Sequence, residues 1–205
     1  LTTPTYDPEN VPDIASDTTG AYDGVYLNRF VQSSYVPGSI FKIVTLSAAL
    51  DCVPGIEEKT FPCKGKLTYG SGSNTEAVTC EKAHGNQSIK QAFANSCNCA
   101  FAQIAELVGK DNMVKYVRQF QVTQRLSFDG ITTAAGNYDI SNTGVVSFAW
   151  SCIGQHSDLV NPARYMTFMG AIANGGVGVE PYLMAQVENG GKTNVSPVAD
   201  YVICQ

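Results

Sequence analysis

The stretch that most constrains the fold is Gly38-Ser39-Ile40-Phe41-Lys42-Ile43-Val44-Thr45-Leu46-Ser47-Ala48-Ala49-Leu50. Pro37-Gly38 marks a turn, Ser39 is a residue type that opens helices, and no Pro or Gly follows until Pro54. A helix is therefore predicted to start at or beside Ser39. Its apolar residues wrap the whole circumference, the pattern of a helix buried in the middle of a domain. The single charge in this run is Lys42, one helical turn after Ser39, so ammonium and hydroxyl are predicted on the same face.

Burial disfavours the charged form of a lysine and leaves a neutral amine able to take a proton from a neighbouring hydroxyl. The helix start adds free N–H groups and positive potential where an oxyanion would form. Ser39 and Lys42 are thus a candidate nucleophile and base. The alternative for any isolated S-x-x-K is a capping serine followed by a lysine that snorkels to the surface; the apolar context and the rest of the chain favour the chemical reading.

The 205 residues suffice for one sizeable core, and 44% hydrophobic against 15% charged residues excludes a disordered chain. A net charge of -5 with scattered Lys and Arg gives no basic patch for nucleic acid. No apolar run is long enough to span a membrane, and Leu1-Thr2-Thr3-Pro4 does not look like a signal peptide. Lacking an initiator Met, the chain reads as a segment of something longer.

Seven cysteines are many for this length. With two histidines and no C-x-x-C, the spacing does not suggest zinc, and neither a metal nor a cofactor is expected. Cys63 and Cys80 flank a Gly/Ser-rich connection between two short predicted strands, so a disulfide is expected between them; it would close a loop of about 18 residues and contribute roughly 3 kcal/mol. Cys97, Cys99 and Cys152 read as small buried apolar residues.

Along the chain, residues 1 to 20 read as an irregular lead-in and 59 to 79 as short strands and loops. Ser88 to Val108 returns to helical spacing, interrupted by Asn95-Ser96-Cys97-Asn98, whose side chains compete for backbone groups. A short helix is predicted from Asp111 to Phe120 and mostly loop from Arg125 to Thr143. Asn161-Pro162 opens a helix over 163–174 that Gly175-Gly176 ends. A strand from Val177 to Val187 precedes an Asn189-Gly190-Gly191 turn, and Lys192-Thr193-Asn194 is read as solvated turn. Helices gathered with a few late strands indicate an α+β fold.

Taken together, these motifs resemble the transpeptidase domain of penicillin-binding proteins, in particular the monofunctional, class B-like branch. Tyr35-Val36-Pro37-Gly38-Ser39-Ile40-Phe41-Lys42 is similar to the family's nucleophile segment and Ser96-Cys97-Asn98 stands in the place of its S-x-N triplet. Pro4-Thr5-Tyr6-Asp7-Pro8, His84-Gly85, Gly154-Gln155, Asn161-Pro162-Ala163 and Ala171-Ile172-Ala173-Asn174-Gly175-Gly176 with Pro181 fit in order. The resemblance covers about Pro4 to Val187. His156 departs from it, since a glycine commonly follows Gly-Gln, and no K-[TS]-G triad follows Asn174.

The resemblance implies one transpeptidase domain over residues 1–205, a helical core around the nucleophile helix packed on an antiparallel sheet, incomplete before the K-T-G strand. Penicillin is accordingly expected to acylate this chain more slowly than one extended through that strand. It further implies a peptidoglycan D,D-transpeptidase in which Ser39 is acylated by D-Ala-D-Ala stem peptides, Lys42 takes its proton, Ser96 relays protons to the leaving amine and Asn98 holds Lys42 or the substrate amide. Expected partners are stem peptides, β-lactam antibiotics and other cell-wall synthesis or division proteins, at the extracytoplasmic face of a bacterial membrane with the anchor outside this chain. A β-lactam sensor or inactive scaffold, a serine β-lactamase and a D,D-carboxypeptidase are the alternatives. His84 and His156 are read as structural.

Overall fold

The computed structural model describes residues 3–183 and, beyond them, the backbone of three strand segments at 186–189, 192–195 and 200–202. Two short helices, α1 (Val11–Ser16) and α2 (Arg29–Gln32), lead to a single 3-10 turn at Gly38–Phe41 that continues into α3 (Lys42–Cys52). Phe41, Lys42, Val44, Thr45, Ala48 and Ala49 are buried. The expected burial holds on most of the circumference, with Ile43, Leu46 and Ser47 half-buried and the two ends open, where Ile40 is 56% and Leu50 49% exposed.

Four strands follow: β1 (Thr60–Cys63), β2 (Lys66–Tyr69), β3 (Glu76–Thr79) and β4 (Gly85–Ser88). β1 pairs with β4 and β2 with β3, both antiparallel, so the β2–β3 hairpin is an excursion from the β1–β4 pair. Ser88 then caps α4 (Ile89–Ala94): its hydroxyl accepts from the Gln91 N–H, and the Gln91 side chain accepts from the Ser88 N–H.

The helical run breaks where its polar tetrad predicts. Asn95 ends α4, Ser96 takes a left-handed φ of 48°, and Cys97 is the extended N-cap of α5 (Asn98–Val108). α5 is the most buried helix neighbour of α3; Phe101, Ala102, Ile104 and Ala105 are all fully enclosed. Burial of a side chain such as Phe101 or Ile104 stabilises the fold by about 1.5–3 kcal/mol.

Next come α6 (Lys110–Gln119), the small β5–β6 hairpin (Ser127–Phe128 with Ile131–Thr132), α7 (Val145–Cys152) and α8 (Pro162–Ala173). α7 packs on α5, and its last carbonyl accepts from the Thr45 hydroxyl of α3 at 2.6 Å. Asn161 caps α8 and its side-chain amide donates to the carbonyls of Val31 and Ser33 at 3.0 and 2.7 Å. It thereby ties α8 to the segment that delivers the nucleophile turn.

The late strands are β7 (Val177–Val179), β8 (Gln186–Asn189), β9 (Lys192–Val195) and β10 (Asp200–Val202), with β8 pairing β9 and β7 pairing β10. Lys192-Thr193-Asn194, read as a turn in the sequence, opens strand β9 opposite Asn189. The class is α+β as expected, but among the described residues the sheet is divided into five two-stranded antiparallel pairs.

Candidate active site

The structure brings Ser39, Lys42, Ser96 and Asn98 to one point. Lys42 Nζ lies 3.0 Å from Ser39 Oγ and 2.9 Å from Ser96 Oγ, and donates to the Ser96 carbonyl and to Asn98 Oδ1, each at 2.7 Å. Two elements make this convergence: the 3-10 turn stacks Ser39 beside Lys42, and the left-handed Ser96 turns both its carbonyl and its hydroxyl toward the amine. Asn98 is held in turn by donating to the Thr79 carbonyl at 3.0 Å, so β3 orients it.

Lys42 is 1% exposed, while Ser39 and Ser96 are open to solvent. Burial lowers the lysine pKa to about 8, against a smaller opposing pull from the Cys80 and Cys97 sulfurs. Four oxygens around one nitrogen discriminate between its protonation states. The two shortest contacts go to oxygens with no proton to give, which uses both N–H bonds of a neutral amine and leaves its lone pair facing the serine hydroxyls.

The nucleophile turn is held from behind. The Gly38 N–H donates to the Gly154 carbonyl at 2.7 Å, and the Tyr165 hydroxyl donates to the Ile40 carbonyl at 2.9 Å. A Cβ at Gly154 would sit 2.2 Å from the Gly38 oxygen and 2.5 Å from Phe41 Cβ, and its φ is +84°, so only glycine fits. Two residues on, His156 also adopts a left-handed φ of 73°. Glycine would adopt that φ without strain; the imidazole lies 3.1 Å from Ser157 Oγ on an exposed loop.

A second cluster includes Cys97 of the Ser96-Cys97-Asn98 segment. One ligand atom from each of Cys63, Cys80, His84 and Cys97 falls within 4.8 Å of the others. This corrects two expectations. Cys63 and Cys80 are free thiols rather than a disulfide, and residues able to hold a metal do converge although no C-x-x-C is present. Burial pushes the Cys97 thiol up, whereas hydrogen bonds from Gly65 and His84 outweigh burial at Cys63 and bring it down. Cys97, Cys99 and Cys152 are buried as expected; Cys204 lies outside the described residues.

The architecture is the α+β transpeptidase fold. It superposes on the D,D-transpeptidase domain of a peptidoglycan glycosyltransferase from Eggerthella lenta with a TM-score of 0.85 at 24% identity, covering 98% of this chain and 52% of that one. The imipenem acyl-enzyme of penicillin-binding protein A from M. tuberculosis gives 0.84 at 22% identity, covering 98% and 49%.

The family described as the penicillin binding protein transpeptidase domain matches residues 2–203, and the chain belongs to it. It is 32% identical over 162 residues to stage V sporulation protein D of Bacillus subtilis, 76% of this chain and 24% of the relative. With the peptidoglycan D,D-transpeptidase PbpA of Mycobacterium tuberculosis it shares 27% over 187 residues, 85% of this chain and 36% of the relative. The chain thus spans only about a quarter to a third of these relatives.

Proposed function

We propose that the chain carries the acyl-transfer centre of a peptidoglycan D,D-transpeptidase, with Ser39 as nucleophile and Lys42 as its base. The observation that carries this reading is the buried amine of Lys42 held between Ser39 Oγ, Ser96 and Asn98. Ser39 Oγ attacks the carbonyl carbon of the penultimate D-Ala while its proton passes to the Lys42 lone pair. The Ser39 backbone N–H, in the first turn of its helix and so without an intrahelical acceptor, faces the developing oxyanion. The C–N bond then breaks, and the terminal D-Ala amine leaves with a proton supplied from Lys42 through the Ser96 hydroxyl. The ester at Ser39 is next attacked by an amine of a second stem peptide. That amine gives up its proton along the same route, the ester C–O bond breaks, Ser39 recovers its proton and a cross-link is formed.

A β-lactam would enter the same first step, its ring C–N bond breaking in place of the peptide bond. The same proposal covers the setting: the extracytoplasmic face of a bacterial membrane, beside other cell-wall synthesis or division proteins. No helix among the described residues is long and apolar enough to cross a membrane. Nor does a carboxylate among them hydrogen-bond Ser39, Lys42, Ser96 or Asn98. A hydrolase would use such a group to activate water against the ester, so transfer to an amine is favoured over β-lactamase or carboxypeptidase activity.

Labelling with a fluorescent penicillin tests the reading. A long-lived adduct mapped by mass spectrometry to Ser39, and absent from Ser39→Ala, is the expected result. Rapid loss of label would indicate a hydrolase, and a stable adduct on a chain that cannot join stem peptides would indicate a sensor.

A further inference from the structure

A polar cleft of about 410 Å³ runs between the 137–143 loop and the 156–157 loop, with Ser147 of α7 at one end. Both of its walls lie next in sequence to residues that touch the nucleophile turn. Asn137 and Asp139 line the cleft on either side of Tyr138, whose ring stacks on Phe41, the residue before Lys42, with centroids 5.5 Å apart. On the other wall, His156 and Ser157 follow Gly154, whose carbonyl accepts from the Gly38 N–H, and Gln155, whose amide nitrogen would lie 3.4 Å from a Cβ at Gly38. Covalent geometry along this route keeps the His156 Cα within ~16 Å of the Ser39 Cα.

The cleft is of a size that holds small molecules, and its lining narrows which ones. Every lining residue is polar and none is Lys or Arg. There is no apolar wall for a hydrophobic group and no permanent cation for a phosphate or carboxylate, and the one carboxylate, Asp139, is too few for a metal ion. A neutral ligand rich in hydroxyls and amides remains. Ser141 donates its N–H and its hydroxyl to Asp139 Oδ1 at 3.0 and 2.6 Å, and no described group bonds Oδ2. These bonds hold the Asp139 carboxyl below its ordinary pKa, so it stays an acceptor. Asn142 makes no side-chain hydrogen bond among the described residues, so its amide offers both donor and acceptor. A carboxylate beside a primary amide can accept from one hydroxyl of a sugar and donate to the next. The two walls are also fixed to each other. Asn137 and Leu159 exchange backbone hydrogen bonds at 2.8 and 2.9 Å, and the Asn137 side chain donates to the Ser157 carbonyl at 2.9 Å. A preformed cleft loses little freedom when it is filled.

We propose that this cleft binds a sugar of the glycan strand that bears the stem peptide, an inference that rests on the transpeptidase reading above. An extended peptide spans at most ~3.3–3.6 Å per residue, so about four or five residues cover the distance from Ser39 to the cleft. Each sugar hydroxyl exchanges water for a protein partner, so the free sugar binds weakly. Its tether to a peptide held at Ser39 raises its effective concentration, and the cleft thereby favours donors still attached to glycan. Asp139 and Asn142 would be the residues that set this preference.

Titration of the 15N-labelled chain with chitotetraose, an oligomer of N-acetylglucosamine, followed by nuclear magnetic resonance, tests this without penicillin, so the cleft and the acyl-transfer centre can fail separately. Saturable shifts in the millimolar range, confined to residues 137–143 and 155–157, are the expected result. Asp139→Ala and Asn142→Ala should each weaken binding about fivefold. Both side chains are exposed, so the variants are expected to fold, which their amide spectra check directly. Ser39→Ala, which removes penicillin labelling, should bind the sugar as the parent does. Absence of saturable shifts, shifts scattered over the surface, or binding unchanged in both cleft variants would each overturn the proposal. So would a response to Nα-acetyl-lysine amide in place of the sugar, since Asp139 would then serve an ammonium.

Discussion

If Lys42 is the base, the acylation rate must follow its neutral fraction, and the structure sets where that fraction changes. Burial brings the pKa to about 8 from an ordinary value of 10.5. The neutral amine then makes up about 9% at pH 7, half at pH 8 and about 91% at pH 9. The second-order rate constant for acylation by a penicillin should therefore rise about tenfold between pH 7 and pH 9 and level off above that. A lysine at its ordinary pKa would instead give about a hundredfold rise over the same interval with no plateau before pH 10. Stopped-flow acylation, with Ser39→Ala as the blank for spontaneous lactam hydrolysis, measures the profile, and the 13Cε shift of Lys42 reports the same titration directly. Lys42→Arg, which keeps the charge and cannot release a proton, should lose at least about a hundredfold at every pH. A rate that is flat from pH 6 to 10, or an Arg variant that still acylates, would refute the role given to the amine.

Three further outcomes follow from residues behind the site. Gly154→Ala places a Cβ 2.2 Å from the Gly38 oxygen at a left-handed φ, and should cost more than about 2 kcal/mol in urea unfolding as well as slowing penicillin labelling. Asn161→Ala removes the α8 cap and the donors to Val31 and Ser33; about 2–4 kcal/mol of stability should be lost, read as a lower unfolding midpoint. Asp158 is fully buried and accepts from Ser151 Oγ at 2.5 Å, yet burial raises its pKa to about 7. With the folded value above the unfolded 3.8, its stabilising contribution is complete below about pH 4 and is lost as pH rises through 7. Asp158→Asn should therefore be more stable than the parent by roughly 2 kcal/mol at pH 8, and the gap should close by pH 4 in thermal melts.

The Ser39–Lys42 pair was legible because a lone charge in an apolar helix leaves few options. The break at Asn95–Asn98 was legible because those side chains compete with the helix for backbone groups. α8 announced itself by Asn161-Pro162 at one end and Gly175-Gly176 at the other. α7 did not: Gly144 supplies no capping side chain, and Val145-Val146 with Phe148 and Trp150 carry no helical preference, so only packing on α5 makes it a helix. The cysteine cluster escaped for a different reason. Its ligands come from strand ends and a helix cap on either side of a hairpin, and the spacing of Cys63, Cys80, His84 and Cys97 takes its meaning from the β1–β4 register. From sequence alone only Cys63 and Cys80 stand out as a pair, and a disulfide is the simplest chemistry for a pair.

The hydrogen bond from the Gly38 N–H to the Gly154 carbonyl also sets a clock. The two residues are separated by more than a hundred positions, and such non-local contacts form only after the intervening chain is made and folded. At synthesis rates of ~5–20 residues per second, the ribosome takes roughly 6 to 23 seconds to travel from one to the other. Throughout that interval the turn that carries Ser39 has neither the Gly154 carbonyl nor the Tyr165 hydroxyl to hold it from behind. The turn is completed only by a glycine carbonyl from the other half of the fold.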